Sequence, residues 1–93
     1  MSDIAERIII AGRVQGVGFR AFLMIEAERR KIRGWVRNRR DGTVEALLIA
    51  RSESIEAMID ACRRGPSLAR VTHVAREQTC DDGTLGFHAR PTV

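Results

Sequence analysis

Residues 7–20 read RIIIAGRVQGVGFR, which is a β-branched run followed by two closely spaced glycines. The three consecutive isoleucines predict a buried strand over Arg7–Val14. Glycines at positions 16 and 18 interrupt this pattern. Apolar residues at helical spacing then predict a helix from Phe22 to about Lys31. The stretch therefore predicts a strand that turns tightly into a helix.

The remaining chain continues the alternation of strands and helices. Thr43–Ala50 is apolar on both faces, which predicts a central strand, and Asp41-Gly42 before it predicts a hairpin turn. Ser52 is the expected N-cap of a second helix that ends before Gly65-Pro66. The other predicted strands are Gly34–Arg39, Arg70–Gln78 and Leu85–Ala89. This order predicts an α+β fold, the ferredoxin-like βαββαβ sandwich. Two helices cover one face of an antiparallel sheet, and a short extra C-terminal strand follows.

Length, charge and cysteine content limit the class of protein. A chain of 93 residues fits one domain, residues 1–93. Its net charge of +4, from 16 Lys and Arg against 12 Asp and Glu, favours anionic partners. No apolar run approaches the roughly 20 residues of a membrane span, and the N-terminal residues do not resemble a signal peptide. We therefore expect a cytoplasmic protein. Two cysteines are too few for a disulfide framework, and their spacing suggests no metal site.

The glycine-containing turn has the residue types of an anion-binding loop. Glycines permit unusual dihedrals and close ligand approach, and successive N–H groups can then converge on an anion beside a helix N-terminus. Arg20 follows directly, and its planar fork can hold two phosphate oxygens. Spacing alone fits a tight turn beside a solvated arginine equally well. The segment lacks both the Gly-Lys-Ser/Thr ending of a P-loop and the third glycine of a dinucleotide fingerprint.

Two blocks of the sequence resemble the acylphosphatase family. Val14–Arg20 is similar to the first signature of that family and Gly34–Val44 to the second, and they occur in the expected order. The resemblance implies hydrolysis of acyl phosphates to a carboxylate and inorganic phosphate, with no metal or cofactor. It implies that Arg20 binds the phosphate and that Asn38 orients the attacking water. The backbone amides that it implies as further phosphate ligands are those of Gln15, Gly16, Val17, Gly18 and Phe19.

This chemistry needs no classical acid–base residue. The leaving group is a carboxylate, which departs without protonation, so a general acid is dispensable. The remaining tasks are to position water and to neutralise charge on the phosphoryl group. Asn38 is too weak a base to take the proton, so we infer that a phosphate oxygen of the substrate receives it. Without the resemblance, Asn38 is better interpreted as a polar strand residue hydrogen-bonded near the hairpin.

Two other functions are compatible with parts of the sequence. A nucleic-acid-binding module fits the fold class and charge, but the four aromatic residues form no base-stacking strand motif. A carbamoyl-phosphate-handling domain, like the N-terminal part of hydrogenase maturation factors, belongs to much longer chains. We expect a monomer that binds a small acyl phosphate, with inorganic phosphate as product and competitive inhibitor. We expect no nucleic acid or membrane partner. Nothing in the sequence marks a particular acyl group.

Overall fold

Five strands and two helices build the protein in this computed structural model, which describes residues 2–93. Their bounds are β1 Ile4–Arg13, α1 Phe19–Arg29, β2 Arg33–Asn38, β3 Val44–Ala50, α2 Ser52–Arg64, β4 Arg70–Thr79 and β5 Phe87–Ala89. The sheet order is β4-β1-β3-β2-β5. The pairings among β1 to β4 are antiparallel, whereas β5 runs parallel to β2. The ferredoxin-like prediction is confirmed, and the extra strand makes the sheet mixed.

The main core lies between the two helices and one face of the sheet. Every residue of β3 is buried, which confirms that this strand is central. Its even-numbered residues face the helices, because alternate side chains of a strand point to opposite faces. The large, fully buried side chains here come from both helices and from β1, β2 and β3; they include Ile8, Ile10, Phe19, Leu23, Val36, Leu48, Ile55, Met58 and Ile59. This packing fixes α1 against the strands that carry the candidate site.

The opposite face of the sheet holds a second, smaller cluster and an ionic group. Glu45 on β3 is buried, and its carboxylate accepts hydrogen bonds from Arg7 Nε at 2.5 Å and Arg37 Nε at 2.6 Å. Burial of the carboxylate raises the pKa of Glu45, but these two arginines lower it by more, so its pKa lies below the ordinary value of 4.5. Trp35 packs on the same face with Leu47. These contacts hold β2 and β3 in register.

The first helix begins three residues before the predicted start. Gly18 adopts φ 80° and ψ 19°, and its carbonyl accepts a hydrogen bond from the Phe22 N–H at 3.0 Å. Phe19 therefore lies inside the helix and is buried in the core. At the other end, Lys31 has φ 55°, so the helix ends at Arg29 rather than at Lys31. Left-handed residues thus flank the helix on both sides.

The remaining element bounds differ from the predictions by a few residues. The second helix has Arg51 at its N-cap position, and Ser52 Oγ donates to Glu53 instead of capping the backbone. The Ser52 N-cap prediction is therefore wrong by one position. The first strand extends back to Ile4, because Ile4 pairs with Ala50. The last strand begins at Phe87, after Gly86 with φ 68°.

Candidate active site

A cleft of about 370 Å³ lies where β1 leads into α1, opposite the end of β2. The connection between β1 and α1, residues 14–18, is called the glycine loop below. The cleft contains four of the five predicted amide ligands, and also Arg20 and Asn38. It is lined by Val14, Gln15, Gly16, Gly18, Phe19, Arg20, Ala21, Met24, Asn38 and Ala89. The fifth predicted ligand, Val17, does not line the cleft, and its side chain is buried.

Two left-handed glycines give the glycine loop its shape. Gly16 has φ 72° and Gly18 has φ 80°, a region that residues with a Cβ rarely adopt. A methyl group added at either position would meet no atom within 4 Å. The glycines are therefore required for the turn itself, and the space beside them is open to a ligand. Burial of Val14, Val17 and Phe19 anchors the loop in the core.

The backbone donors of this segment have no partners within the described chain. None of the N–H groups of residues 15–20 donates to an acceptor among residues 2–93. The first turn of α1 contains no acidic side chain, and no side-chain cap closes the helix start. The partial positive charge of the helix N-terminus is therefore not neutralised by the described residues. Such an arrangement favours an anion in the cleft.

Arg20 is the second residue of α1 and is exposed at the cleft. It forms no ion pair with any carboxylate in the described part of the chain. Other arginines are engaged, such as Arg33 with Asp81 and Arg76 with Glu6. Because no carboxylate of residues 2–93 competes for it, the Arg20 guanidinium is available to a bound anion.

Asn38 is the last residue of β2, half-buried at the wall of the cleft. Its backbone is well held: it pairs with Val44 of β3, and its carbonyl accepts a hydrogen bond from the Val93 N–H at 3.2 Å. Its side-chain amide, in contrast, makes no hydrogen bond within residues 2–93. The side-chain amide therefore does not form the hydrogen bond near the hairpin that the alternative interpretation of Asn38 predicts. The amide is available to water or substrate.

The side chain of Gln15 has a contact that the sequence did not reveal. Its Nε2 donates to the carbonyl oxygens of Arg39, at 2.7 Å, and Thr43, at 2.8 Å. These carbonyls belong to the hairpin that follows Asn38. No local pattern predicts this bridge, because its partners lie 24 and 28 residues away in sequence.

Four small or apolar residues also line the cleft without having been predicted as site residues: Val14, Ala21, Met24 and Ala89. Ala21 and Met24 follow Arg20 on the same side of α1, at helical spacing, and this spacing could have indicated them. Ala89 reaches the cleft because β5 pairs with β2 in the register Val36 with Ala89. That parallel pairing is long-range, and no local sequence pattern indicates it.

Residues 2–93 contain neither a cluster of metal ligands nor a helix able to span a membrane. No group of three or more His, Cys, Asp or Glu side chains there is arranged to hold a metal ion. Neither described helix has the length and apolar character needed to cross a bilayer. The cleft itself is lined by no carboxylate, imidazole or thiol from the described residues.

Comparison with known proteins decides the family. The family model described as Acylphosphatase matches residues 6–89, which is most of the chain. The chain belongs to the acylphosphatase family. An acylphosphatase of Rhodopseudomonas palustris (strain BisB5) is 50% identical over 82 residues, which cover 88% of this chain and 83% of that protein. Members of this family are hydrolases, and the resemblance of the two signature blocks is confirmed.

Solved structures support the same family. The crystal structure of acylphosphatase from Bacillus subtilis superposes with a TM-score of 0.91 at 38% identity, covering 94% of this chain and 98% of that one. The crystal structure of full-length HypF in its phosphate- and nucleotide-bound form gives a TM-score of 0.91 at 27% identity. That match covers 98% of this chain but 12% of the other. The chain thus matches nearly the full length of the Bacillus subtilis acylphosphatase but only a small part of this longer protein.

Proposed function

We propose that the protein hydrolyses the carboxyl–phosphate bond of acyl phosphates by in-line attack of a water molecule oriented by Asn38. The observation that carries this proposal is the meeting of three groups at one cleft. These are the Arg20 side chain, the cleft-lining part of segment 15–20, whose N–H groups have no partner among residues 2–93, and the side-chain amide of Asn38. Family membership supports the reaction class, and the geometry supports the roles of the residues.

The glycine loop and Arg20 hold the phosphoryl group. The N–H groups of residues 15–19 donate to phosphate oxygens, and the Arg20 fork binds two oxygens at once. The positive end of α1 adds to the same field. These donors are fixed before the substrate binds, because Val17 and Phe19 anchor the segment in the core. Preorganised donors of this kind stabilise the charge that spreads over the phosphoryl oxygens in the transition state.

Asn38 holds the nucleophile. Its amide oxygen accepts a hydrogen bond from water and directs the water oxygen at phosphorus, opposite the carboxylate leaving group. A phosphorus–oxygen bond to water forms while the bond to the carboxyl oxygen breaks. The water proton passes to a phosphate oxygen of the substrate, and the acyl carboxylate departs with the electron pair of the broken bond. The products are a carboxylate and inorganic phosphate, and no charge change on a protein side chain is required.

Hydrolysis of an acyl phosphate by the purified protein, with EDTA present, tests this proposal. Arg20→Gln should abolish turnover, because the charged fork is lost. Asn38→Ala should lower kcat by about 10²-fold while the inhibition constant for inorganic phosphate changes little. Arg64→Gln is the matched control, since Arg64 is also exposed and has no ion pair among residues 2–93. Wild-type activity in Arg20→Gln, or no competition by phosphate, would contradict the assignment.

Several finer properties stay predictions. We propose that residues 1–93 act as a single domain, which one continuous core beneath both helices supports. Burial of Phe19 and Trp35 removes two of the four aromatic rings from any base-stacking surface, which supports the absence of a nucleic acid partner. The monomeric state and the cytoplasmic location stay predictions of the sequence.

A further inference from the structure

The Gln15 side chain joins the two halves of the site. Its Nε2 bridges the carbonyl oxygens of Arg39 and Thr43, at 2.7 and 2.8 Å. The same carbonyls close the base of the hairpin. The Arg39 oxygen accepts from the Gly42 N–H at 3.1 Å, and the Thr43 oxygen accepts from the Arg39 N–H at 2.9 Å. Gln15 is thus built into the hydrogen bonding of the turn.

The Gln15 bridge connects the two segments that contain the candidate site residues. Gln15 lies in the glycine loop, which holds the phosphate, and Arg39 follows Asn38 directly. The bridge therefore ties the phosphate-holding segment to the strand end that carries the water-orienting amide. Both bonds are partly buried, so water competes poorly for the donor and the acceptors.

We propose that Gln15 is a positioning residue that sets the distance between the phosphoryl group on the glycine loop and the water on Asn38. This inference rests on the proposed function. It assigns to the Gln15 side chain a role separate from that of its backbone amide. Its side-chain donors face the hairpin carbonyls, and its backbone N–H is left for the phosphate.

Loss of the bridge should affect catalysis more than binding. Burial of Val17 and Phe19 holds the loop without help from Gln15, so the amide donors and Arg20 stay together. The hairpin end of β2 can then shift relative to the loop, and a misplacement of about 1 Å costs up to about 10²-fold in rate. Gln15→Met keeps the length of the side chain but removes both donors. It should lower kcat by about 10- to 100-fold and change the phosphate inhibition constant by less than about twofold.

A double-mutant cycle distinguishes positioning from general stabilisation. Wild type, Gln15→Met, Asn38→Ala and the combined variant are compared in kcat for one acyl phosphate. If Gln15 acts through Asn38, the combined variant should be about as slow as Asn38→Ala alone, because no oriented water is left to misplace. If Gln15 only stabilises the fold, the two losses multiply. Gln15→Asn, which shortens the bridge by one methylene, replaces Gln15→Met in the cycle if the methionine variant does not fold.

Asp41→Ala is the matched control for the hairpin. Asp41 Oδ1 accepts from the Thr43 N–H at 2.9 Å and from Thr43 Oγ1 at 2.6 Å, so this variant weakens the same turn without touching the bridge. It should lower the melting temperature and keep kcat within about twofold. The inference would be overturned by any of three results. These are an unchanged kcat in Gln15→Met, losses in kcat that multiply in the combined variant, or a rise in the phosphate inhibition constant of Gln15→Met that matches its loss of kcat. Lack of hydrolysis by the wild type would instead refute the proposed function.

Discussion

Replacing Gly18 with alanine tests how closely the glycine loop approaches the phosphate. Gly18 has φ 80°, and a methyl group there would meet no heavy atom within 4 Å beyond residue 18 and its two chain neighbours. Its cost to stability is therefore backbone strain alone, about 1–2 kcal/mol for a left-handed residue with a Cβ. For a chain of this size, each kcal/mol lowers the melting temperature by roughly 4–8 °C. We expect a fall of roughly 4–16 °C, with the fold retained.

The effect on the site should be separable from this strain. Gly83 provides the control, since it has φ 82°, equally open space and a position outside the cleft. Gly83→Ala should lower the melting temperature by a similar amount and leave catalysis unchanged. In Gly18→Ala the methyl group enters the space next to the phosphate. Displacing one charged hydrogen bond should raise the phosphate inhibition constant by about tenfold or more.

Two assays decide the comparison: thermal unfolding, and inhibition of acyl phosphate hydrolysis by inorganic phosphate. Equal stability losses in the two variants, with a weaker phosphate inhibition only in Gly18→Ala, support close approach of the loop. An unchanged inhibition constant in Gly18→Ala would refute it. The phosphate would then lie away from the backbone at position 18, and the glycine would serve only the turn.

The remaining predictions concern acid stability and thiol reactivity. The lowered pKa of Glu45 means that its stabilisation is fully present above its ordinary value of 4.5 and is lost as pH falls through the folded-state pKa. Glu45→Gln should therefore reduce the free energy of unfolding at pH 7 by about 2–3 kcal/mol, since Arg7 and Arg37 lose a charged partner. It should also flatten the decline of that free energy as the pH is lowered. If denaturant titrations show that the free energy of unfolding of the variant falls in acid as steeply as that of the wild type, this prediction is wrong. Burial raises the pKa of the Cys62 thiol to about 12, and this side chain is inaccessible, whereas Cys80 is exposed. A thiol reagent should modify one cysteine of the folded wild-type protein and no cysteine of the folded Cys80→Ser variant. Modification of two cysteines in the folded wild type would count against the burial of Cys62.

Local patterns in the sequence were sufficient for the order of elements and for the central strand. Apolar residues on both faces of β3 predicted its place inside the sheet, because only a strand covered on both sides tolerates such a pattern. The start of α1 was missed because Gly16 and Gly18 interrupt the strand pattern and were interpreted as part of a longer turn, although Phe19 continues the i, i+4 spacing of Leu23 and Ala27. Gly18, in its left-handed conformation, and the buried Phe19 set that start. Ser52 has a favourable type for an N-cap, yet the chain enters the helix one residue earlier, at Arg51.

The sequence indicated the candidate residues that belong to contiguous signatures, and it did not indicate contacts that join distant segments. Arg20 and Asn38 lie in the two blocks that resemble the family, so the sequence indicated both as candidate site residues. The Gln15 bridge and the approach of Ala89 depend on which strands become neighbours. Such tertiary pairings leave no trace in the spacing of nearby residues, since periodicity reports only burial along one element.

The parallel pairing of β5 with β2 has a consequence for association between molecules. With β5 in place, and with the Arg90 N–H donating to the Val36 carbonyl at 2.8 Å, the outer backbone of β2 is already engaged. The strand that carries Asn38 is therefore not free to recruit a strand from another molecule. The long outer edge left open is that of β4, which bears Arg70 and Arg76. Charged side chains on an edge discourage strand addition, and the strand that contains Asn38 lies away from the one long edge open to another molecule.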